Sequence, residues 1–347
     1  MSELVFFDST LRDGSHAIKH QLTRENIQDY CRAMDGAKMH TILVGHGNGL
    51  GASSMQVGLS LLDDQKMLQI ARDNLSDTKL GAFLIPGFGT IKDNIMPAIE
   101  IGVDLFCVAA HCTEADVTRQ HIEYVRRKGK DAYGILMMYH MATTEKLIEE
   151  ALKMQEYGAQ GIIVMDSAGA STPDMVQNTI SALVSELDIN VGFHSHNNLG
   201  LGVANAYTAI KAGATIIDGT IRGFGAGAGN CQLEALEALL KKVGIKTNHD
   251  FYKMLDASEN VVAHIGNRSQ GIDSINIVSG LAGVFSAFAT QVNKAAEAFH
   301  VDSRDIFMEL GKRKVVGGQE DAIIDVAMNL AQQQKRDETS YLMESLL

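Results

Sequence analysis

Leu4-Val5-Phe6-Phe7-Asp8-Ser9-Thr10-Leu11-Arg12-Asp13-Gly14-Ser15-His16 is an unbroken apolar run that turns abruptly polar. A run that is hydrophobic at every position, rather than every second one, is expected of a parallel strand covered on both faces. Seven further runs share this character: Thr41–Val44, Leu80–Leu84, Leu105–Val108, Ala132–Met137, Gly161–Met165, Asn190–Phe193 and Thr215–Ile217. Between them lie segments of helical spacing, such as Ile27, Tyr30, Cys31 and Met34, or Leu147, Ala151, Met154 and Tyr157. Gly36, Gly102, Gly158 and Gly213 read as helix stops. Eight alternating strand–helix units over roughly 240 residues match the size of a (β/α)8 TIM barrel. No glycine-rich dinucleotide loop follows the first run, as a doubly wound sheet would carry.

The pattern changes after Gly244. Only helical periodicity follows, so residues 1–247 are expected to form the catalytic barrel and 248–347 a helical C-terminal domain suited to partner docking. Ile277, Leu281, Val284, Phe288 and Val292 are predicted to share one buried helical face. Ser303 is the expected N-cap of the next helix, with Gly311 at its end, and Gly317-Gly318 should open a last helix through Ala322–Leu330. The polar stretch Gln332–Arg336 is expected to fray.

Composition excludes several classes. Thirty Lys+Arg against 42 Asp+Glu leave a net charge of −12. No basic run offers the clustered cations that phosphate-backbone binding requires, so no nucleic acid partner is expected. No apolar run approaches the roughly 20 residues of a membrane span. Met1-Ser2-Glu3 leads straight into Leu4–Phe7 without a positive n-region, which predicts a cytoplasmic protein. Cys31, Cys107, Cys112 and Cys231 form no C-x-x-C pair and read as reduced thiols.

In a closed barrel the chemistry lies at the carboxyl ends of the strands. Run seven ends in His194-Ser195-His196-Asn197-Asn198. Residues two apart on a strand face the same way, so both imidazoles can converge on one metal. Two strand-end histidines bonded to water and backbone would look the same in sequence. Asp13, from run one, is the best candidate to complete the set, which suits Mn²⁺, Mg²⁺, Fe²⁺ or Co²⁺ better than a closed zinc site. Arg12 is costly to bury unpaired, so it is either in a salt bridge, with Asp166 as a candidate, or an electrophile facing a carboxylate or enolate. His16 can be a solvated loop residue or a general base. The run Gly223–Asn230 resembles a phosphate cradle. No strand follows to complete a dinucleotide unit, so a tight loop bringing backbone close to the site is expected, with Asn230 able to offer a carbonyl.

Taken together, Thr10–Ala17, Gly45–Gly51, Ala110–Val117, Asp166–Ala170, His194–Leu199, Gly225–Asn230 and Val315–Asp321 resemble the 4-hydroxy-2-oxovalerate aldolases of the HMG-CoA-lyase-like superfamily. The likeness runs over nearly the whole chain. It implies a class II pyruvate aldolase cleaving 4-hydroxy-2-oxopentanoate to pyruvate and acetaldehyde, as in aromatic hydrocarbon catabolism. It implies a divalent metal, typically Mn²⁺ with Mg²⁺ or Co²⁺ as alternatives, on Asp13, His194 and His196. By the same resemblance Arg12 stabilises an enolate, His16 is the base, Ser167 contacts substrate, and the tail docks an acylating acetaldehyde dehydrogenase that receives the aldehyde by channelling. Phe285 stands where the family usually has a substrate-positioning Tyr, Leu43 where it has Glu, and Asn48 where it has Asp. These departures leave room for an aldolase specialised for another aldehyde. A Claisen-type enzyme condensing acetyl-CoA with a 2-oxo acid would use the same metal trio. A non-haem Fe(II) oxygenase would share the two-histidine, one-carboxylate set on another fold. A non-catalytic stabiliser of a dehydrogenase would have no use for these side chains.

Overall fold

The computed structural model describes residues 3–265 and 271–345, with side chains up to residue 336. Met1, Ser2, residues 266–270 and the last two residues lie outside that description, and with them the start of the leader reading.

Eight parallel strands close into a barrel: β1 (Val5–Asp8), β2 (Thr41–Leu43), β3 (Lys79–Leu84), β4 (Leu105–His111), β5 (Asp131–Met137), β6 (Gly161–Asp166), β7 (Asn190–Ser195) and β8 (Ile216–Gly219). Closure pairs Val5 with Ile216 and Asp8 with Gly219. Each expected apolar run overlaps a strand, because parallel strands buried on both faces have no polar face to interrupt them. The strand ends differ by up to three residues: β4 continues to His111 and β7 to Ser195. The runs ended where hydrophobicity ended, whereas the ladder carries on into the polar mouth.

Helices α1 (Arg24–Gly36), α2 (Asp64–Arg72), α3 (Met96–Ile101), α4 (Arg119–Arg127), α5 (Thr144–Glu156), α6 (Pro173–Glu186), α7 (Gly202–Lys211) and α8 (Leu233–Val243) surround the barrel. Thr23, Asp63, Thr143 and Thr172 cap their helices by accepting a backbone N–H three residues on. Gly102, Gly158 and Gly213 take the left-handed conformation at helix ends. Gly36 does not. It is the last residue of α1, and Lys38 supplies the left-handed turn instead. One buried cluster, including Phe6, Tyr30, Phe106 and Leu236, fills the space between strands and helices. A second, built on Phe7, Leu43, Phe83, Leu105, Ile135, Ile163 and Ile216, fills the barrel itself. Leu43 lies among apolar neighbours there.

Residues just beyond 247 stay with the barrel. In α9 (Phe251–Ala257) and the turn after it, Met254, Ala257 and Val262 join the barrel's outer cluster. After the short α10 (Ala263–Ile265), helices α11 (Ser274–Ala282), α12 (Ala289–Phe299), α13 (Ser303–Lys312) and α14 (Asp321–Ser345) build a separate core around Phe288, Val292, Ile306, Phe307, Leu310 and Ile323. Among the described residues no strand follows β8.

Three expectations for this tail fail. Ile277 and Leu281 are 47% and 67% exposed while Val284, Phe288 and Val292 are buried. The helix stops at left-handed Gly283, so one continuous face never forms. Asp302 rather than Ser303 caps α13, accepting from Arg304 N–H with a carboxylate that also pairs with the Arg304 guanidinium. Instead of fraying at 332–336, α14 continues to Ser345.

Candidate active site and metal centre

The mouth of the barrel gathers polar side chains that folding has buried. Asp13 begins the turn Asp13–Ile18 directly after β1, His194 lies in β7 and His196 just beyond it. One ligand atom from each falls within 4.8 Å of the other two, and all three residues are buried. The imidazole centroids are 5.1 Å apart. His194 Nδ1 lies 3.1 Å from Asp218 Oδ2 at the end of β8. Both His194 ring nitrogens, His196 Nδ1 and Asp218 Oδ2 have no hydrogen-bond partner, so His194 and Asp218 approach each other without a formed hydrogen bond. Leaving such a buried atom unpaired costs roughly 1–3 kcal/mol, which a bound cation would remove. A carboxylate behind a ligating imidazole is also how proteins orient such a ligand. The donor set fits a divalent metal.

Asp13 is held from three sides. Its Oδ1 accepts from Arg12 at 2.9 Å, and its Oδ2 accepts from Asn230 Nδ2 at 2.7 Å and Ala226 N–H at 3.3 Å. Burial opposes its charge, but Arg12 and the surrounding imidazoles hold the carboxyl well below the usual carboxylate range. The expected tight loop is therefore present. A Cβ on Gly225 would stand 2.1 Å from Asn230 Nδ2 and 2.5 Å from Asp13 Oδ2, so the loop can close on Asp13 only with glycine there. Asn230 Oδ1 has no partner.

Arg12, 2% exposed, stacks its guanidinium 4.5 Å from the Phe83 ring centroid. It also donates to Gly47 O at 3.3 Å and Ser9 Oγ at 3.2 Å, with Asp218 Oδ2 3.8 Å away. The expected partner Asp166 is wrong. That carboxylate accepts from Ala170 and Ser171 N–H, because the loop after β6 folds back onto it. Arg12 Nε has no partner.

His16 is half-buried and lies against Gly47, where an added Cβ would stand 2.3 Å from its Nε2. Burial is the largest influence on this imidazole and lowers its pKa to about 4, with Asp13 pulling the other way. Its ring meets His20 edge-on at 4.9 Å, and His20 stacks on His46 at 3.6 Å. Ser167 accepts from Met138 N–H at 3.2 Å on the β6 side of the mouth. Phe285 lies in the turn after α11, edge-on to Phe288 at 5.8 Å. Its neighbours tie that turn to the mouth: Ser286 Oγ accepts from Asn198, and Gly283 O lies 3.1 Å from His140 Nε2.

Sequence reading missed Asp218, Ser9 and His20. Asp218 sits alone in Ile216-Ile217-Asp218-Gly219 and gains meaning only when closure sets β8 beside β1 and β7. The spacing His16-Ala17-Ile18-Lys19-His20 was a visible clue to the third.

A closed (β/α)8 barrel with a buried carboxylate–bis-imidazole cluster at its carboxyl end matches the HMGL-like family, whose sequence profile covers residues 3–261, while a DmpG-like communication domain covers 270–332. Within that class, the chain belongs to the 4-hydroxy-2-oxovalerate aldolase family. It is 54% identical over 338 residues, 97% of this chain and 98% of its relative, to the 4-hydroxy-2-oxovalerate aldolase of Pectobacterium atrosepticum. It is 50% identical over 327 residues, 94% of this chain and 96% of its relative, to that of Spirochaeta aurantia. Among solved structures, the N-terminal domain of a putative aldolase from Bacteroides vulgatus aligns with a TM-score of 0.72 at 23% identity, over 86% of this chain and 98% of that one. Rhizobium etli pyruvate carboxylase aligns with a TM-score of 0.80 at 16% identity, over 96% of this chain and 32% of that one. Both likenesses speak for the fold alone.

Proposed function

We propose that the protein is a divalent-metal-dependent carbon–carbon lyase that cleaves 4-hydroxy-2-oxopentanoate to pyruvate and acetaldehyde. The observation carrying this reading is the Asp13–His194–His196 cluster, with three unpartnered imidazole nitrogens, beside a buried Arg12 and a neutral His16. The names of the relatives support the substrate. A cation on those three residues, Mn²⁺ first and Mg²⁺ or Co²⁺ next, would supply Lewis acidity toward the substrate's 2-oxo oxygen.

The chain's own groups do the rest. His16 takes the proton of the 4-hydroxyl, for which a neutral imidazole is required. The O–H electron pair forms the aldehyde C=O, the C3–C4 bond breaks, and its electrons move to the 2-oxygen as an enolate. Arg12 faces that growing charge with a guanidinium already oriented by Asp13, Ser9 and Phe83, so little reorganisation is needed. Return of a proton to C3 gives pyruvate. Ser167 is assigned to substrate contact beside Met138.

The tail is the proposed dock for an acylating acetaldehyde dehydrogenase, supported by the communication-domain match and by exposed Ile277, Leu281, Met308, Ile324 and Met328. A cytoplasmic location is proposed from the four free, buried cysteines. No described helix is long and apolar enough to cross a membrane.

The test is pyruvate release from 4-hydroxy-2-oxopentanoate, coupled to lactate dehydrogenase, with added Mn²⁺. Turnover should vanish in EDTA and return with the metal, whereas equal turnover in chelator overturns the assignment. Phe285 and Leu43 favour a second reading, an aldolase tuned to another aldehyde. A panel of 4-hydroxy-2-oxo acids ranked by kcat/KM separates the two.

A further inference from the structure

We propose that Asn198 is a positioning residue that couples the helical tail to the glycine-rich loop around Asp13. It stands two residues beyond His196 and is fully buried. Its Nδ2 donates to Ser286 Oγ at 2.9 Å and Ser279 Oγ at 3.3 Å, both in the tail. Its Oδ1 accepts from Ala228 N–H at 3.3 Å, in the loop. A backbone N–H can only donate, so Ala228 dictates which end of the amide faces the loop, and both amide hydrogens are left for the tail. Ser279 Oγ in turn donates to Val284 O at 2.9 Å, which leaves its lone pairs for Asn198.

The same loop reaches the cation ligand two residues earlier and two later, through Ala226 N–H and Asn230 Nδ2 on Asp13. A continuous chain of contacts therefore runs from Ser286 through Asn198 and the loop to Asp13. Across the mouth, His140 holds Gly283 O of the same tail turn. When the tail shifts, the amide that pins Ala228 shifts with it, and the carboxylate loses the two donors the loop supplies, keeping only Arg12. Tail seating thereby sets how firmly the cation site is built, a coupling that rests on the metal reading above only at its last link.

The experiment is hydrogen–deuterium exchange by mass spectrometry on the full chain, comparing wild type with Ser286→Ala and Asn198→Ala. Ser286→Ala touches none of Asp13, His194 and His196, but Ser286 also packs directly against Gly227 of the loop, so Asn198→Ala is the variant that isolates the amide. Exchange in the peptide spanning residues 223–232 should accelerate about fivefold or more in Ser286→Ala, and further in Asn198→Ala, with β2 to β5 unchanged. Unchanged loop exchange, or acceleration spread evenly over the barrel, overturns the proposal. Calorimetric titration with Mn²⁺ reads the last link: binding should weaken by about fivefold in Ser286→Ala, and an unaltered Kd beside a loosened loop overturns the extension to the cation site. Should wild type itself bind no Mn²⁺, the metal reading fails while loop exchange still decides the coupling.

Discussion

Each end of the barrel buries a carboxylate–histidine pair at the same separation. At the mouth His194 Nδ1 lies 3.1 Å from Asp218, and at the base His249 Nδ1 lies 3.1 Å from Glu237. What surrounds them differs. Glu237 also accepts from Thr247 at 2.5 Å and lies 3.4 Å from Lys241, and the His249 ring rests on Phe6 at 4.6 Å. The mouth pair forms no such hydrogen bond: both nitrogens of His194 and Asp218 Oδ2 are unpartnered, with His196 and Asp13 beyond the ring and the guanidinium of Arg12 beside Asp218. A satisfied buried pair holds structure together. An unsatisfied one waits for a ligand.

Exchanging the two histidines for alanine breaks the comparison most sharply. His194→Ala should abolish Mn²⁺ binding by calorimetry and lower kcat by about 10³-fold or more. His249→Ala should leave Mn²⁺ affinity and kcat within about twofold of wild type while costing about 1–3 kcal/mol of stability in urea. Comparable loss of metal in both variants would dissolve the distinction.

Next in size is the carboxylate behind each ring. Asp218→Asn should weaken Mn²⁺ binding about 10–100-fold, because an amide cannot orient and polarise His194 equally well. Glu237→Gln should shift only stability, by about 1–3 kcal/mol, with the metal isotherm superimposable on wild type.

The smallest expected effect is in pH dependence. Burial disfavours the Glu237 carboxylate, yet hydrogen bonds from His249 and Thr247 hold its pKa below the ordinary value of 4.5. A carboxyl depressed in the folded state contributes stability above the unfolded pKa and loses it as pH falls. The Tm gap between wild type and Glu237→Gln should be fully open at pH 7 and narrow below about pH 4.5. The mouth loses stability in the same direction, but over a higher window. Burial lowers His16 and His196 to about 4 from 6.5, so the unfolded chain takes up protons first and stability declines from pH 6.5 toward 4 in both proteins. A Tm gap independent of pH would show that folding leaves the Glu237 pKa unshifted.

Much of the barrel was legible because continuous apolar runs and their polar ends are local properties. Phe6 and Phe7 face opposite sides of the β1 wall, into two different buried clusters, and the sequence marks both as apolar. The candidate ligands were legible for the same reason: His194 and His196 alternate on one strand, and Asp13 follows another strand end. Asp166 was a candidate partner for Arg12 because both lie at strand ends, and only strand order says that Asp13 and Asp218 are the neighbouring carboxylates instead. Ile277 and Leu281 misled because a period of 3.6 can be counted across Gly283, where the helix itself stops.

Sequence alone determined the number of strands, the barrel class and the residue types at its mouth, since hydrophobic periodicity and side-chain chemistry are written in adjacent residues. Tertiary structure alone decided that Asp218 backs His194, that Asn230 and Ala226 grip Asp13, and that Asn198 joins the loop to the tail. Those pairings depend on barrel closure and on where the helical core settles, and no local pattern encodes a contact between residues more than 20 positions apart.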